Sequence, residues 1–429
     1  MSKEVEYIPI TDLLTDIIDN RGKSVPTVER GFPLIATNCI KHSSIYPTFD
    51  KVRYVSENTL KTWFRAHIKP NDILFVNKGT PGRVCLVPNP VTFCAAQDMM
   101  AFRSDPEKIN YKYLFAVLRT NEIQKKIENN HVGLVIPHFR KQELSSLLIP
   151  IKSKQEQKAI GDLYIVLSEK IELNNRINAE LEAMAKTLYD YWFVQFDFPN
   201  AKGKPYKTSG GKMVWNEEIQ REIPEGWEVK ELQEIAKCLM GQSPKGESYN
   251  QDGIGTPLLN GPADYENGTL KGRTFTTEPT RLCQKDDLVL CIRATIGNLV
   301  YSEQEFCLGR GVAAVRVNDK RLSELIYFLL IQEIERFKVQ ATGSIIVGIT
   351  KDDLIESKCL IPNDELIKYF HNLIKPQFDK IRINIQENLK LTELRDWLLP
   401  MLMNGQVKVK DEKETELSMA AEPKVNYGK

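Results

Sequence analysis

The 429-residue chain lacks any apolar run near the ~20 residues that a membrane-spanning helix needs. Its first residues, Met1–Glu6, lack the apolar core of a secretory signal peptide. Neither sign of charge is in excess, with 58 basic and 57 acidic side chains. These absences predict a cytoplasmic protein, in which any nucleic-acid surface must be a local patch.

Metal-binding spacings are also missing. None of the eight cysteines forms a Cys-x-x-Cys pair, and Cys85 and Cys94, like Cys283 and Cys291, are too far apart for a zinc knuckle. The five histidines are scattered. We therefore predict reduced, mostly buried thiols and no metal site.

Catalytic motifs are absent as well. The nearest approach to a phosphate-binding loop is Gly211-Lys212, but Tyr206 and Met213 occupy the wrong positions. The segment Asn89–Phe93 lacks the second proline of the loop with which amino-methyltransferases hold a flipped base. The sequence thus predicts a protein that binds without catalysing a reaction and carries no cofactor of its own.

The chain contains instead an internal repeat, with copies offset by 215 residues at first and 210 later. The matching segments are Ile68–Phe75 with Cys283–Leu290, Phe93-Cys94 with Phe306-Cys307, Gln97 with Arg310, Arg103 with Arg316, Val132–Ile136 with Thr342–Ile346, and Lys170-Ile171 with Lys380-Ile381. Because the order of the segments is kept, we expect two similar modules that read two sites.

Each copy begins with an α+β pattern, from about Ile8 to Pro150 and from about Ile223 to Pro362. In the first copy we expect one amphipathic helix over Tyr111–Glu128. A long helix follows each module, marked by residues at steps of three or four. The first set is Ile160, Leu163, Leu167, Ile171, Asn174, Ile177, Leu181, Met184, Leu188 and Trp192; the second is Phe370, Ile374, Phe378, Ile381, Ile385, Asn388, Leu391, Leu394, Leu398 and Leu402.

Each long helix has one apolar stripe, so the two are expected to pair, and a repeat with pseudo-twofold symmetry favours an antiparallel pair. A helix from Ile160 to Phe193 would span roughly 50 Å at ~1.5 Å per residue. Asn174 is a candidate for fixing the helix register, although a solvated position is an equal alternative.

Polar turns recur at matching places in both modules and provide candidate DNA contacts. The residues are Lys41, Ser43, Lys78, Thr80, Arg83 and Gln97 in the first module, and Gln242, Ser243, Lys245, Asn260, Arg273, Arg293, Thr295 and Arg310 in the second. For any one of them, an ordinary solvated loop is the alternative. Candidate contacts to partner proteins are Leu181, Leu188, Trp192, Leu394, Trp397 and Leu398, although Trp192 could equally anchor the paired helix.

The sequence resembles a known family, the DNA-specificity subunits of type I restriction-modification systems. The resemblance is carried by Asn174–Val194, Phe196–Pro199, Lys204–Tyr206, Ile223–Trp227 and Leu394–Gly405. It implies an α+β fold with two pseudo-repeated α/β target-recognition domains, separated by two long helices packed as an antiparallel coiled coil. The expected regions are a first target-recognition domain at 1–152, a central helix at 153–196, a linker at 197–222, a second target-recognition domain at 223–362, a distal helix at 363–407 and a disordered tail at 408–429.

The resemblance also implies a function. Each target-recognition domain would read one half of a bipartite, asymmetric site in double-stranded DNA. The helices would act as a ruler and bind two modification subunits, which carry S-adenosylmethionine and methylate adenine. Restriction subunits would add an endonuclease and translocase that use ATP and Mg²⁺. The chain itself would be non-catalytic and bind no cofactor. The alternatives are a stand-alone coiled-coil scaffold and a DNA-modifying enzyme with an unrecognised catalytic site.

Overall fold

The computed structural model describes residues 6–20, 24–95, 98–130, 137–266, 268–293, 296–341 and 348–409. The chain divides into two compact units, one formed by residues 1–174 with 387–429 and the other by residues 175–386. Each unit therefore contains one module of the repeat and a part of each long helix. The repeated tract Val132–Ile136 with Thr342–Ile346, and the tail beyond Val409, lie outside the described residues.

The first unit contains nine strands, three short α-helices and the start of the first long helix, within its described residues. The strands are β1 (Glu6–Pro9), β2 (Leu14–Ile18), β3 (Phe32–Ile35), β4 (Arg53–Val55), β5 (Ile73–Val76), β6 (Val84–Leu86), β7 (Cys94–Ala95), β8 (Met99–Ser104) and β9 (Leu148–Ile151). The helices are α1 (Glu57–Thr62), α2 (Tyr111–Leu118), α3 (Asn121–Asn130) and α4 (Lys154–Tyr189), with 3₁₀ turns at Ile10–Leu13, Thr37–Cys39 and Lys141–Ser146.

Described residues of the second unit repeat this order with additional strands. The strands are β10 (Met213–Asn216), β11 (Arg221–Pro224), β12 (Glu228–Glu231), β13 (Ala236–Met240), β14 (Tyr249–Asn250), β15 (Thr256–Leu259), β16 (Tyr265–Glu266), β17 (Thr269–Leu270), β18 (Thr274–Thr276), β19 (Leu282–Cys283), β20 (Leu288–Cys291), β21 (Gly297–Tyr301), β22 (Phe306–Leu308), β23 (Val312–Val317) and β24 (Lys358–Ile361). The helices are α5 (Leu232–Ile235), α6 (Ser323–Ala341), α7 (Lys351–Ile355) and α8 (Asp364–Met403), with a π-helical turn at Asp190–Val194 and 3₁₀ turns at Gly246–Ser248, Pro262–Asp264 and Lys320–Leu322.

The main sheet of each module has four antiparallel strands in an equivalent order, β2-β8-β5-β6 and β13-β23-β20-β21. The central strands β5 and β20 are buried at every position. Alternate side chains of a strand point to opposite faces, and those of β5 and β20 enter two different hydrophobic clusters. This explains why both strands appear in the sequence as continuous apolar runs.

A second sheet in each module contains one parallel pair, β3 with β7 and β15 with β22. An antiparallel pair made from the two ends of the module, β1 with β9 and β12 with β24, leads into the long helix. The segment expected to be a linker, 197–222, contains β10 and, with β11, forms a hairpin. Met213, Val214 and Ile223 of this hairpin pack on the core of the second unit, which gives the segment a defined position.

A buried ion pair occupies the same place in both modules. Arg103 donates Nε–H and Nη2–H to Asp72 at 3.0 and 2.8 Å, and Arg316 donates the same two groups to Asp287 at 2.9 and 2.7 Å. Both aspartates are almost fully buried. The hydrogen bonds that each carboxylate accepts raise the pKa of its arginine. The bidentate geometry connects the end of β8 to the turn before β5 in the first module. It connects the end of β23 to the turn before β20 in the second module.

The long helices α4 and α8 pack together and run antiparallel within each unit. In the first unit, Asn174 donates Nδ2–H to Asn388 Oδ1 at 2.9 Å, and the Arg395 guanidinium lies 5.5 Å from the Tyr164 ring. In the second unit, Asn384 donates Nδ2–H to Asn178 Oδ1 at 2.8 Å. Asn174 is thus buried, which favours register fixing over the solvated alternative. The α+β fold with paired helices agrees with the expectation from sequence.

Two predicted seam residues are exposed, Met184 at 60% and Leu394 at 43%. Ala185 takes the buried position beside Met184, and its small side chain allows close approach. The predicted seam did not include Asn178 and Ala185, which are buried. A second difference concerns the helix expected over Tyr111–Glu128, which is divided into α2 and α3. There Thr120 accepts a hydrogen bond from Ile123 N–H through Oγ1 and begins a new helix.

All eight cysteines are free, and seven of them are buried, as the sequence predicts. Among the described residues, none of the helices has the length and apolar character of a membrane span.

Candidate nucleic-acid interface

The turn after β5 is held from two sides. Asn77 N–H and Lys78 N–H both donate to Asp98 O, at 2.9 and 3.3 Å, and Gly79 N–H donates to Pro137 O at 2.9 Å. Gly79 has φ +86° and open space around it, so its backbone is accessible to a ligand. Close approach of this turn to a phosphate stays a prediction.

The other end of this turn is closed. Gln124 donates Nε2–H to Gly82 O at 2.9 Å, and a Cβ at Gly82 would press on Gln124 and Ile127 of α3. Thr80 and Arg83 are half-buried. Lys78 is exposed, but its ammonium lies 3.8 Å from the Asp98 carboxylate, which partly balances its charge. The exposed part of the turn is therefore Lys78 with Gly79.

The second module places Arg293 at the equivalent point. Ile292, directly after β20, donates N–H to Gly311 O at 3.0 Å and accepts from Ile349 N–H at 2.9 Å, as Asn77 pairs with Asp98 and Phe139 in the first module. Arg293 follows and is exposed. The turns that follow β5 and β20 thus make matching backbone hydrogen bonds, as their predicted equivalence requires. Gln97 and Thr295 lie outside the described residues.

Four predicted residues of the second module come together where β13 and β15 end and β23 begins. Gln242 N–H donates to Leu308 O at 2.8 Å, and Arg310 Nε–H donates to Ser243 Oγ at 3.2 Å. Asn260 lies against Gly309 and Gly311, which flank Arg310. Gln242, Ser243, Asn260 and Arg310 form what we call the second-module cluster. Apart from half-buried Ser243, its members are exposed, and it offers donors and acceptors suited to base edges.

Lys245 and Arg273 are also exposed, but no contact joins them to this cluster in the described structure. Arg273 Nη2 lies 3.8 Å from a Glu266 carboxylate oxygen, so its charge is partly balanced. Lys245 begins the 3₁₀ turn Gly246–Ser248, and its carbonyl accepts a hydrogen bond from Ser248. Both remain candidate phosphate contacts at the edge of the module.

Lys41 and Ser43 lie on a loop of the first module, residues 40–46. Lys41 forms an ion pair with Asp50, and its hydrogen bond lowers the pKa of the Asp50 carboxyl. Ser43 is exposed. The loop therefore presents polar side chains, although the charge of Lys41 is engaged.

Sequence reasoning missed the two anchors of this loop. Glu172 of α4 accepts a hydrogen bond from Ile45 N–H, and burial raises the pKa of the Glu172 carboxyl. Buried Arg119 donates Nη1–H to Ser44 O at 3.3 Å and lies over the Phe115 ring at 5.2 Å. The charged residues at 119 and 172 have no like-charged counterparts in the repeat, so no pattern in the sequence could have identified them.

The predicted partner contacts divide into three groups, which are exposed, buried and half-buried. Leu394 and Trp397 are exposed, Trp397 at 56%. Trp192 is 4% exposed and packs on Tyr369 and Phe370. It is therefore part of the core of the second unit and anchors the paired helix. The half-buried residues are Leu181, Leu188, which packs on the core of the second unit, and Leu398, which packs on the core of the first.

Within the described ranges, no group of three or more histidine, cysteine or acidic side chains could hold a metal ion. The exposed cations and amides of the turns are instead suited to binding phosphates and base edges.

Comparison with known proteins gives one consistent result. The sequence matches the family described as type I restriction modification DNA specificity domain twice, over residues 5–183 and 224–391. It is 27% identical over 390 residues to a Methanocaldococcus jannaschii protein described as the MjaX type I restriction enzyme specificity subunit, covering 89% of this chain and 88% of that protein. It is 24% identical to the HindI specificity subunit of Haemophilus influenzae, covering 79% and 87%.

A solved structure shares the fold. The type I restriction-modification S subunit from M. genitalium superposes with a TM-score of 0.54 at 19% identity, covering 94% of this chain and 97% of that one. The two family matches together cover most of the sequence, and each includes one module with part of a long helix. The chain therefore belongs to the type I restriction-modification DNA specificity family, as a specificity subunit and not a catalytic one.

Proposed function

We propose that each module of this specificity subunit reads one half of a bipartite, asymmetric site in double-stranded DNA. The observation that carries the proposal is the repeated turn after the central strand, with Lys78 in one module and Arg293 in the other. Two similar frames that present different side chains at the same place are suited to reading two different sequences. The first module would use Lys41, Ser43, Lys78 and Thr80, and the second would use Arg293 and the second-module cluster.

We propose further that the helices bind two modification subunits, one on each unit. The exposed apolar residues supporting this are Leu173 and Leu394 in the first unit, and Ile383 and Met184 in the second, 40–60% exposed. Leu173 corresponds to Ile383 and Met184 to Leu394 at the repeat offset of 210 residues. Exposed apolar side chains at repeated positions fit two copies of one partner.

In this proposal, S-adenosylmethionine is bound by the modification subunits, and ATP and Mg²⁺ by restriction subunits. This chain contributes recognition and holds no cofactor. The complex would act in the cytoplasm, where it meets the DNA that it methylates or cuts.

The central test exchanges residues 1–152 for the corresponding domain of another specificity subunit. The methylated adenines are then mapped in cells that contain the complete complex. We expect one half-site to change while the other stays as in the wild type. A change in both half-sites would contradict separate reading, and an unchanged site would contradict reading by this module.

A second test separates phosphate contacts from base contacts. Alanine at Lys78, Arg83 or Arg293 should weaken binding to all duplex sequences alike if the residue contacts a phosphate. The slope of log affinity against log salt should then fall by about one charge. Lys61, an exposed lysine of α1 outside the predicted set, provides the matched control. Unchanged affinity in all three variants would remove these residues from the DNA surface.

A third test concerns the helices as a ruler. Four residues inserted between Glu182 and Ala183 lengthen α4 by about 6 Å and keep its apolar face nearly in phase. DNA advances ~3.4 Å per base pair, so the preferred gap between half-sites should grow by one or two base pairs. A two-residue insertion turns the following face by ~200° and should abolish assembly. Full activity on the original gap after the longer insertion would contradict the ruler.

The proposed docking surface for the modification subunits, which includes Leu394, is tested by placing a negative charge on it. Leu394→Asp should lower the number of modification subunits bound per chain from two to one, measured by the mass of the complex. Ile254→Asp, at a residue 59% exposed in the second module, is the control and should leave two subunits bound. Two bound subunits in Leu394→Asp would place the docking surface elsewhere.

A further inference from the structure

We propose that Arg310 reads a guanine in the major groove of the half-site bound by the second module. This inference rests on the proposed function and deepens it by assigning one residue to one base. It depends on how rigidly the backbone and side chain of Arg310 are held, and on its freedom from ion pairs.

The backbone around Arg310 is held by two neighbouring segments, residues 259–260 and Ile292. Gly309 N–H donates to Leu259 O at 2.7 Å, and Gly311 O accepts from Ile292 N–H at 3.0 Å. A Cβ at Gly309 would overlap Asn260 Oδ1, and a Cβ at Gly311 would overlap Asn260 O. Because only glycine fits on either side of Arg310, the segment lies closely against residues 259–260 and has little freedom to shift.

The side chain is held as well. Arg310 donates Nε–H to Ser243 Oγ at 3.2 Å. Ser243 is itself positioned by close packing, since a Cβ at Gly241 would overlap Gly309 O. The bond to Ser243 uses Nε and leaves the two terminal nitrogens of the guanidinium for a ligand. A preorganised arginine loses less conformational freedom on binding than a mobile one.

Several other predicted cationic contacts lie beside a carboxylate, whereas Arg310 differs from them in this respect. Lys41 pairs with Asp50, Lys78 lies 3.8 Å from Asp98, and Arg273 lies 3.8 Å from Glu266. In the ranges that the structure describes, no carboxylate forms an ion pair with Arg310. A planar fork of two donors matches O6 and N7 of guanine, the commonest specific arginine contact in the major groove. A mobile phosphate contact would not need this fixed orientation.

The experiment uses the assembled complex with its modification subunits and duplexes that carry 7-deazaguanine at each guanine of the second half-site in turn. For the wild type, we expect one substitution to weaken binding by roughly 5- to 150-fold, the range for one specific base contact. Arg310→Ala removes the fork, so binding should fall by a similar factor and the sensitivity at that guanine should disappear. Ser243→Ala should give a smaller loss at the same guanine, because it removes only the positioning bond.

Other outcomes separate the inference from the proposed function. If the wild-type complex shows no sequence preference, the proposed function fails. If the complex is selective but Arg310→Ala keeps its 7-deazaguanine sensitivity, this inference alone is overturned. A uniform loss for Arg310→Ala, with a salt slope reduced by about one and no loss for Arg310→Lys, would assign the residue to a phosphate. Unfolding curves of each variant exclude misfolding as the cause.

Discussion

The two modules share a frame and differ in how the long helices attach to it. In the first unit, Glu172 of α4 holds the loop at Ile45. At position 382, which corresponds to 172 in the repeat, Arg382 of α8 donates Nη1–H to Asp286 Oδ1 at 2.7 Å, in the turn before β20. The same helix position thus carries opposite charges and holds different segments of its module. The comparison shows that the frame is built independently of the loops that would read DNA.

The strands differ in a related way. In the second module β19 pairs with β22, extending the second sheet at that edge. Within the described residues, the corresponding edge of β7 in the first module forms no such strand pair. Phe32, Phe64 and Phe93 line a cavity of about 290 Å³ at this edge. Variation is therefore concentrated at the edges and loops, while the four-stranded sheets remain equivalent.

The largest expected loss of stability comes from variants that remove the buried ion pair shared by the two modules. Asp72→Ala leaves Arg103 without its buried partner and should cost about 3–5 kcal/mol, as should Asp287→Ala for Arg316. Hydrogen exchange should show loss of protection in β5 and β8 for the first variant, and in β20 and β23 for the second. Asp16→Ala removes the exposed partner of the same Arg103 and should cost about 0–1 kcal/mol. Equal costs for Asp16 and Asp72 would show that the buried pair is not what holds the frame.

An intermediate loss of stability is expected for variants of Glu172 and Arg382, the residues through which the long helices attach to the two modules. Glu172→Ala leaves a partly buried amide at Ile45 without its acceptor, which should cost about 1–3 kcal/mol. Discrimination at the first half-site should fall and that at the second should not, as measured by competition between duplexes altered in one half-site. Arg382→Ala provides the reciprocal variant. Loss at both half-sites in either variant would contradict separate attachment of the loops.

The smallest effect concerns the divided helix. Thr120→Ala removes the cap of α3, which has no counterpart in the continuous α6, and should cost about 1 kcal/mol. Thr187→Ala is the control, because Thr187 lies on an exposed helix face where its hydroxyl donates to Ala183 O. Chemical denaturation measures both variants. A larger cost for Thr187 would mean that capping does not decide the break between α2 and α3.

The sequence predicted those features that are encoded locally or repeated. Asp72 with Asp287, and Arg103 with Arg316, were aligned by the repeat, although their pairing requires the folded sheet. The helix seam was misassigned at Met184, because a large apolar residue next to a buried alanine looks like the better core residue. It was also misassigned at Leu394, which is exposed although its spacing fits the seam. Trp192 was ambiguous, since an aromatic side chain at a helix end fits both a core and an interface.

The candidate site was predictable as a set of turns but not as a cluster. Arg310 and Ser243 are 67 positions apart, and the close packing of Gly309 and Gly311 that brings them together has no signature in one sequence. Arg119 looks like an ordinary surface residue after α2, because nothing local shows that Ser44 and Tyr164 cover it. Burial of such a charge is decided by distant segments.

The composition of the first unit has a consequence for synthesis on the ribosome. Its core includes Leu399, Leu402 and Met403, which pack with Ile160 and Tyr164 although the whole second unit lies between them in the chain. At roughly 5–20 residues per second, the last helix follows the first module by roughly ten to fifty seconds. During that interval the face of the nascent α4 that packs on α8 has no intramolecular cover, whereas the second unit is one continuous stretch. We expect the module made first to be completed last, and nascent chains to need protection from aggregation in between.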